Sequence, residues 1–197
     1  SVTGFAHPDK IRLNCTPRAG DVLILTKALG TGIISTANKA DMVSEETYAK
    51  AVAQMAELNR AGSEIAGKYD VHSITDVTGF GLMGHTGEMA NGGNVTAVIE
   101  SANVPLLPEV LSLAEIGILP EGMYRNRNFA EPFSESAPSV TRAMMDVLFD
   151  PQTSGGLLLA VAEKDAPALL AELTDKVPHA ARIGYVTEKQ GCAVRVV

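Results

Sequence analysis

The segment Thr75-Asp76-Val77-Thr78-Gly79-Phe80-Gly81 sets an acid between a short apolar run and a glycine-bearing turn that opens a helix. A carboxylate at such a corner is a hard oxygen ligand, of the kind Mg²⁺ takes. Gly79 and Gly81 let the backbone approach a ligand closely. The free N–H groups of the following helix attract phosphate. Strand, acid, glycine turn and helix together make a Mg–phosphate corner, with Asp76 as the metal ligand and Thr78 and Gly79 beside the phosphates. Asp, Thr and Gly are also the residues that cap helices and make turns, and on spacing alone that plainer role is the more frequent one. His85 follows on the same helix without a partner at a metal-ligand spacing, so packing or surface exposure is its default role.

A second segment, Asp150-Pro151-Gln152-Thr153-Ser154-Gly155-Gly156, has two chemical uses. Pro151 forces a turn, and Thr153, Ser154 and Gly155 could then present successive N–H groups as an anion nest. The same residues also make a tight entry into a buried strand over 156–162, which chemistry alone favours. A third segment, Lys27-Ala28-Leu29-Gly30-Thr31-Gly32, carries a lone GxG without the dinucleotide fingerprint or the P-loop GK[ST]. Lys27 could reach a phosphate, although a solvated Lys after a strand is commoner.

The elements that must hold these segments follow from periodicity. Residues 1–20 show little pattern, with turns at Asp9-Lys10 and at Pro17-Arg18-Ala19-Gly20. Residues 21–26 form a β-branched strand run. A short helix is expected over 33–40. Ser44 caps a long helix, with Glu45 and Glu46 in its first turn. On that helix Tyr48, Val52, Met55, Ala56, Ile65 and Ala66 share one face. Strands are expected at 71–75, 95–100 and 157–162, and helices at 82–90, within 105–117, from Pro138 to about 148, and at 167–177. Residues 118–136 read as a long loop. The end of the chain reads as a hairpin, 183–188 against 193–197. Helices thus interleave with strands and a hairpin, which predicts an α+β fold with a mixed sheet layered by helices.

Composition bounds the partners. The chain has 197 residues, 46% hydrophobic, enough for one buried core with an extension. No apolar run approaches the roughly 20 residues of a membrane span, and the first residues lack a signal-peptide layout. Net charge is −7, with 16 basic residues scattered through the chain, which argues against a general nucleic-acid grip. Arg125 and Arg127 are the nearest thing to a basic patch. Cys15 and Cys192 are far apart, as expected for two free thiols in a reducing cytoplasm. Neither has an activating neighbour in sequence.

The three segments occur together and in order, and the set is similar to the C-terminal part of the selenophosphate synthetase (selenide, water dikinase) family. The run Val2-Thr3-Gly4-Phe5-Ala6-His7-Pro8 also resembles the junction between that family's two halves. The likeness spans nearly the whole chain; it departs at Ala28, where Pro is common, and at Met83, an ordinary hydrophobic swap. It implies a fold like the aminoimidazole ribonucleotide synthetase C-terminal domain, partly ferredoxin-like. It divides the chain into a linker at 1–20 and a synthetase domain at 21–197. It implies an enzyme, a transferase of kinase type, that turns ATP, selenide and water into selenophosphate, AMP and phosphate. Asp76 matches the one Mg²⁺-binding aspartate that this half supplies. The other metal ligands, the ATP-contacting glycine loop and the nucleophile belong to an N-terminal ATP-binding domain outside this chain. No catalytic residue is therefore assigned here, and the fragment alone is expected to be inactive. The family's homodimer contacts lie mainly in that other half. Two alternatives stay open: another ATP-using member of the superfamily, such as thiamine-monophosphate kinase or the hydrogenase-maturation type, and a non-catalytic interaction domain.

Overall fold

The structure is a computed structural model that describes residues 3–8 and 11–197. Asp9, Lys10 and Val2, named above for a turn and for the junction, lie outside the described residues. In chain order the elements are β1 (Val22–Leu25), α1 (Thr31–Lys39), α2 (Glu45–Ala56), α3 (Arg60–Ala66), β2 (Val71–Asp76), α4 (Gly81–Gly92), β3 (Val95–Ile99), α5 (Val110–Glu115), α6 (Glu121–Ala130), β4 (Ser134–Ser136), α7 (Arg142–Phe149), β5 (Leu157–Val161), α8 (Ala166–Lys176), β6 (Ala181–Glu188) and β7 (Val194–Val196).

The strands β1 and β5 are apolar at every position because both faces of the sheet are covered. Leu23, Leu25, Leu158 and Ala160 point to one side and Val22, Ile24, Leu157 and Leu159 to the other, the period-2 alternation of an extended chain. The first side packs on α1, α2, α4, α5, α6 and α7 through residues such as Ile33, Ala51, Leu82, Val110, Met123 and Val147. The second packs on α3 and α8 through Ile65, Leu169 and Leu173. The sheet has seven strands in the order β2-β5-β1-β6-β3-β7-β4. Neighbours run antiparallel except β3–β7 and β7–β4, which are parallel. The expected α+β fold with a mixed sheet is therefore the observed one. Among the described residues no helix is long and apolar enough to cross a membrane.

Three expectations need correction. The helix behind Ser44 is broken. Ser44 does cap it, accepting a hydrogen bond from the Thr47 amide at 3.2 Å. The helix ends at Ala56, where the Lys27 ammonium donates to the carbonyls of Gln54 and Glu57 at 3.1 and 2.7 Å, and the chain restarts as α3. Tyr48 consequently packs on one core and Ile65 and Ala66 on the other, while Val52 is exposed. Residues 118–136 are not a loop: they hold α6, a 3₁₀ turn at Glu131–Phe133 and β4. Finally, β6 and β7 do not form a hairpin. Strand β3 lies between them, antiparallel to β6 and parallel to β7, so the turn between them crosses over a strand.

The entry segment is partly fixed. The Ile74 amide donates to the Leu13 carbonyl at 3.1 Å, and Thr16 Oγ1 donates to the His72 carbonyl at 2.6 Å. Residues 13–16 therefore line part of the outer edge of β2.

Candidate functional site

Asp76 is the last residue of β2, paired in register with Leu157 of β5. Its side chain is exposed. No described side chain bonds or pairs with its carboxylate. The backbone beneath it is fixed. The buried Val77 donates its amide to the Gly156 carbonyl at 2.8 Å. The Thr78 carbonyl accepts from the amides of Gly81 at 3.0 Å and Gln152 at 2.9 Å. Gly81 has φ +68°, and a Cβ there would lie 2.8 Å from the Phe149 backbone, so glycine is required. Around Gly79, by contrast, a Cβ would meet nothing within 4 Å. Helix α4 then starts without a side-chain cap, its first amide taken by the Thr78 carbonyl and the next two residues, Leu82 and Met83, buried. Thr78 Oγ1 lies 3.3 Å from His85 Nε2. Strand, acid, glycine turn and helix thus adjoin in space, with the Asp76 carboxylate unpaired among the described residues over a rigid turn that is open at Gly79.

The second segment lies directly against the first. A Cβ on Gly155 would fall 2.0 Å from the Val77 carbonyl oxygen, so the two backbones touch. Its Asp150 and Gln152 side chains turn away from solvent. Gln152 Oε1 accepts from the amides of Gly30 and Thr31 and from Thr31 Oγ1, at 3.1, 3.2 and 3.1 Å. Asp150 Oδ2 accepts from the Gly32 amide at 3.1 Å and from Gln152 Nε2 at 2.9 Å. Thr31 Oγ1 in turn accepts from the Thr153 amide at 2.9 Å. Asp150 therefore fills the N-terminus of α1, where the GxG segment had suggested room for a phosphate. It is fully buried, and burial raises its carboxyl to about 7 against the hydrogen bonds that face it.

Lys27 is also turned inward. Its ammonium donates to three carbonyls, those of Gln54, Glu57 and Ser154, which uses all three N–H donors. Burial lowers its pKa, with Glu57 opposing. It ties α2 to the second segment and has no donor left for a phosphate. Gly155 is likewise buried, and its carbonyl accepts from Asn59 Nδ2 at 2.8 Å. Of the candidates beside Asp76, Thr153, Ser154 and Gly79 are exposed and Thr78 is half-buried.

Sequence reasoning gave Asn126 no role. It is buried on α6, and its Nδ2 donates to the carbonyls of Gly79 at 2.8 Å and Phe149 at 2.9 Å. It holds the turn after Asp76 from the far side. Its signal was the buried spacing Met123, Asn126, Ala130, a polar residue on a core stripe. Beside it an open groove of about 580 Å³ runs between Gly79, Phe80, Arg125, Phe129 and Pro151, and the rings of Phe80 and Phe129 stack at 5.8 Å. Cys15 and Cys192 are free thiols; Cys192 is buried, and that burial raises its pKa, the reverse of what a nucleophile needs. Among the described residues no three His, Cys, Asp or Glu side chains converge to hold a metal. Asp76 fits Mg²⁺ as one ligand of a shared set, because Mg²⁺ binds through one or two carboxylates and completes its shell with waters and phosphate oxygens.

A family model described as AIR synthase related protein, C-terminal domain, matches residues 18–197. "Selenide, water dikinase 2" of Peptoclostridium acidaminophilum is 45% identical over 100% of this chain and 57% of its own length. The selenide, water dikinase of Pelobacter propionicus is 45% identical over 96% of this chain and 55% of its own. The chain thus spans about half the length of the curated relatives it matches. Among solved structures, the hydrogenase maturation protein HypE of E. coli superposes with a TM-score of 0.68 at 21% identity, covering 95% of this chain and 49% of that one. Thiamine-monophosphate kinase of Stenotrophomonas maltophilia gives 0.65 at 15% identity, covering 94% and 52%. At these identities the structural likeness shows the fold.

Proposed function

This chain belongs to the family of AIR synthase related C-terminal domains, and from that premise we propose that it is the C-terminal part of a selenide, water dikinase. The whole protein would make selenophosphate from ATP, selenide and water, releasing AMP and phosphate. The observation that carries the site assignment is Asp76: an exposed carboxylate without a partner among the described residues, on a turn pinned from both sides by Gln152 and Asn126. Asp76 supplies one ligand to Mg²⁺. Bound there, the metal would neutralise charge on the ATP phosphates as bonds to phosphorus break.

The chain's own residues do the positioning. The rigid turn holds the Asp76 carboxylate in place before substrate arrives, which is how a binding group contributes to rate. Thr78 and Gly79 offer donors beside it. Thr153 and Ser154 stand exposed on the adjoining segment. The remaining metal ligands and the nucleophile come from the N-terminal part that the relatives possess. The full-length protein is proposed to be a cytoplasmic homodimer with no nucleic-acid or membrane partner; the acidic balance and the free thiols support this.

The test uses the full-length protein with ATP, selenide and Mg²⁺, followed by phosphorus NMR. Selenophosphate, AMP and phosphate are expected in equal amounts, and none from this chain alone. Steady ATP turnover by the chain alone would place the active site elsewhere.

A further inference from the structure

Asp150 is an internal anion with an unusual set of neighbours. Its Oδ2 accepts from the Gly32 amide and from Gln152 Nε2. Its Oδ1 is buried without a hydrogen-bond partner among the described residues. A Cβ on Gly32 would lie 2.4 Å from that oxygen, so glycine makes the close approach possible. The residue next but one, Gln152, donates its amide to the Thr78 carbonyl, two residues past Asp76. One carboxyl thereby connects the start of α1 with the turn under the proposed metal ligand.

The facing groups are neutral. From α1 they are the amides of Gly32 and Ile33, and from its own segment Gln152. The charged side chains of the surrounding elements have other partners. Asp146, one turn earlier on α7, pairs with Arg127. Lys27 binds carbonyls. His85 reaches Thr78 Oγ1 and lies 3.4 Å from Glu88. Among the described residues no cation offsets a charge on Asp150, and its free oxygen is a natural proton acceptor.

We propose that Asp150 is a positioning residue whose ionisation tightens the turn beneath Asp76. Hydrogen bonds to a carboxylate are roughly twice as strong as those to a neutral acid. The ionised form therefore grips Gly32 and Gln152 harder, and Gln152 in turn fixes Thr78. The link to catalysis rests on the assignment of Asp76 as a Mg²⁺ ligand.

Two experiments test it, each comparing the native protein with Asp150→Asn, whose amide oxygen can take the place of the accepting Oδ2 but which cannot ionise. In the chain as it stands, amide NMR should show the Gly32 and Gln152 protons moving downfield together as pH rises through about 7. Thr78–Gly81 amides should follow, and all of these shifts should vanish in Asp150→Asn. A native titration that leaves the Thr78–Gly81 amides unmoved overturns the proposal, whatever the protein's activity. In the full-length enzyme, kcat should rise with pH severalfold more in native protein than in Asp150→Asn, with the KM for ATP unchanged. Identical pH profiles overturn the catalytic link. If full-length native protein makes no selenophosphate, the functional assignment fails while the NMR result still decides the clamp.

Discussion

Asp76 and Asp150 sit in two glycine-bearing segments whose backbones touch, yet the protein treats the two acids in opposite ways. Asp76 ends an edge strand, faces solvent and has no described partner. Asp150 is fully buried, bonded to a helix start and to Gln152, and far above the ordinary carboxylate range. The first can bind something that arrives. The second is already bound to the protein. A segment that marks a family is therefore not by that fact a contact with substrate: Asp150-Pro151-Gln152 is the mould, and Thr75–Gly81 is what it shapes.

The contrast breaks most sharply at Asp76. In the full-length protein, Asp76→Ala should lower ATP consumption by about 100-fold or more, because one metal ligand stabilises the developing charge by several kcal/mol. Its fold should be unaffected, with stability within about 0.5 kcal/mol of native, as for an exposed residue without partners. Equal activity in native and variant would remove Asp76 from the metal site. A large loss of stability would show that the two acids are less different than their burial indicates.

Gln152→Ala reverses the pattern. The truncation leaves the buried amides of Gly30 and Thr31 without an acceptor, and each unpaired buried donor costs about 1–3 kcal/mol. A destabilisation of about 2–4 kcal/mol is expected in denaturant titration of this chain. A change under about 0.5 kcal/mol would mean that Gln152 is not the pin between the segments.

The same contrast explains what the sequence reveals. The α+β class and the central strands were legible because Leu23–Leu25 and Leu157–Val161 are unbroken apolar runs of strand length. The succession of strand, acid, glycine turn and helix around Asp76 was legible because its parts are adjacent in the chain. Lys27 was misread because its three carbonyl partners lie 27, 30 and 127 residues away. Two of those carbonyls lie at the end of α2, which stops at Ala56 rather than running on to Ala66. The terminal hairpin was the expected local pairing of β6 and β7, but the intervening β3 comes from some 90 residues earlier. Asn126 was hidden in a segment that proline and glycine made look like a loop.

The smallest effect is a slope. Asp150 has a folded-state pKa raised from 3.8 to about 7, chiefly by burial. In the unfolded chain it ionises near the ordinary value; in the folded chain it keeps its proton longer. Between those values the folded state holds more protons, so stability from this group is full at low pH and falls as pH rises. The slope cannot exceed about 1.4 kcal/mol per pH unit for one group. Asp150→Asn has no proton to lose, and its stability relative to native should therefore improve steadily from pH 4 to 7, read as the difference between the two denaturant midpoints. A constant difference across that range would mean the Asp150 carboxyl titrates as if exposed. It would then resemble Asp76, and the distinction between the two acids would rest on hydrogen bonds alone.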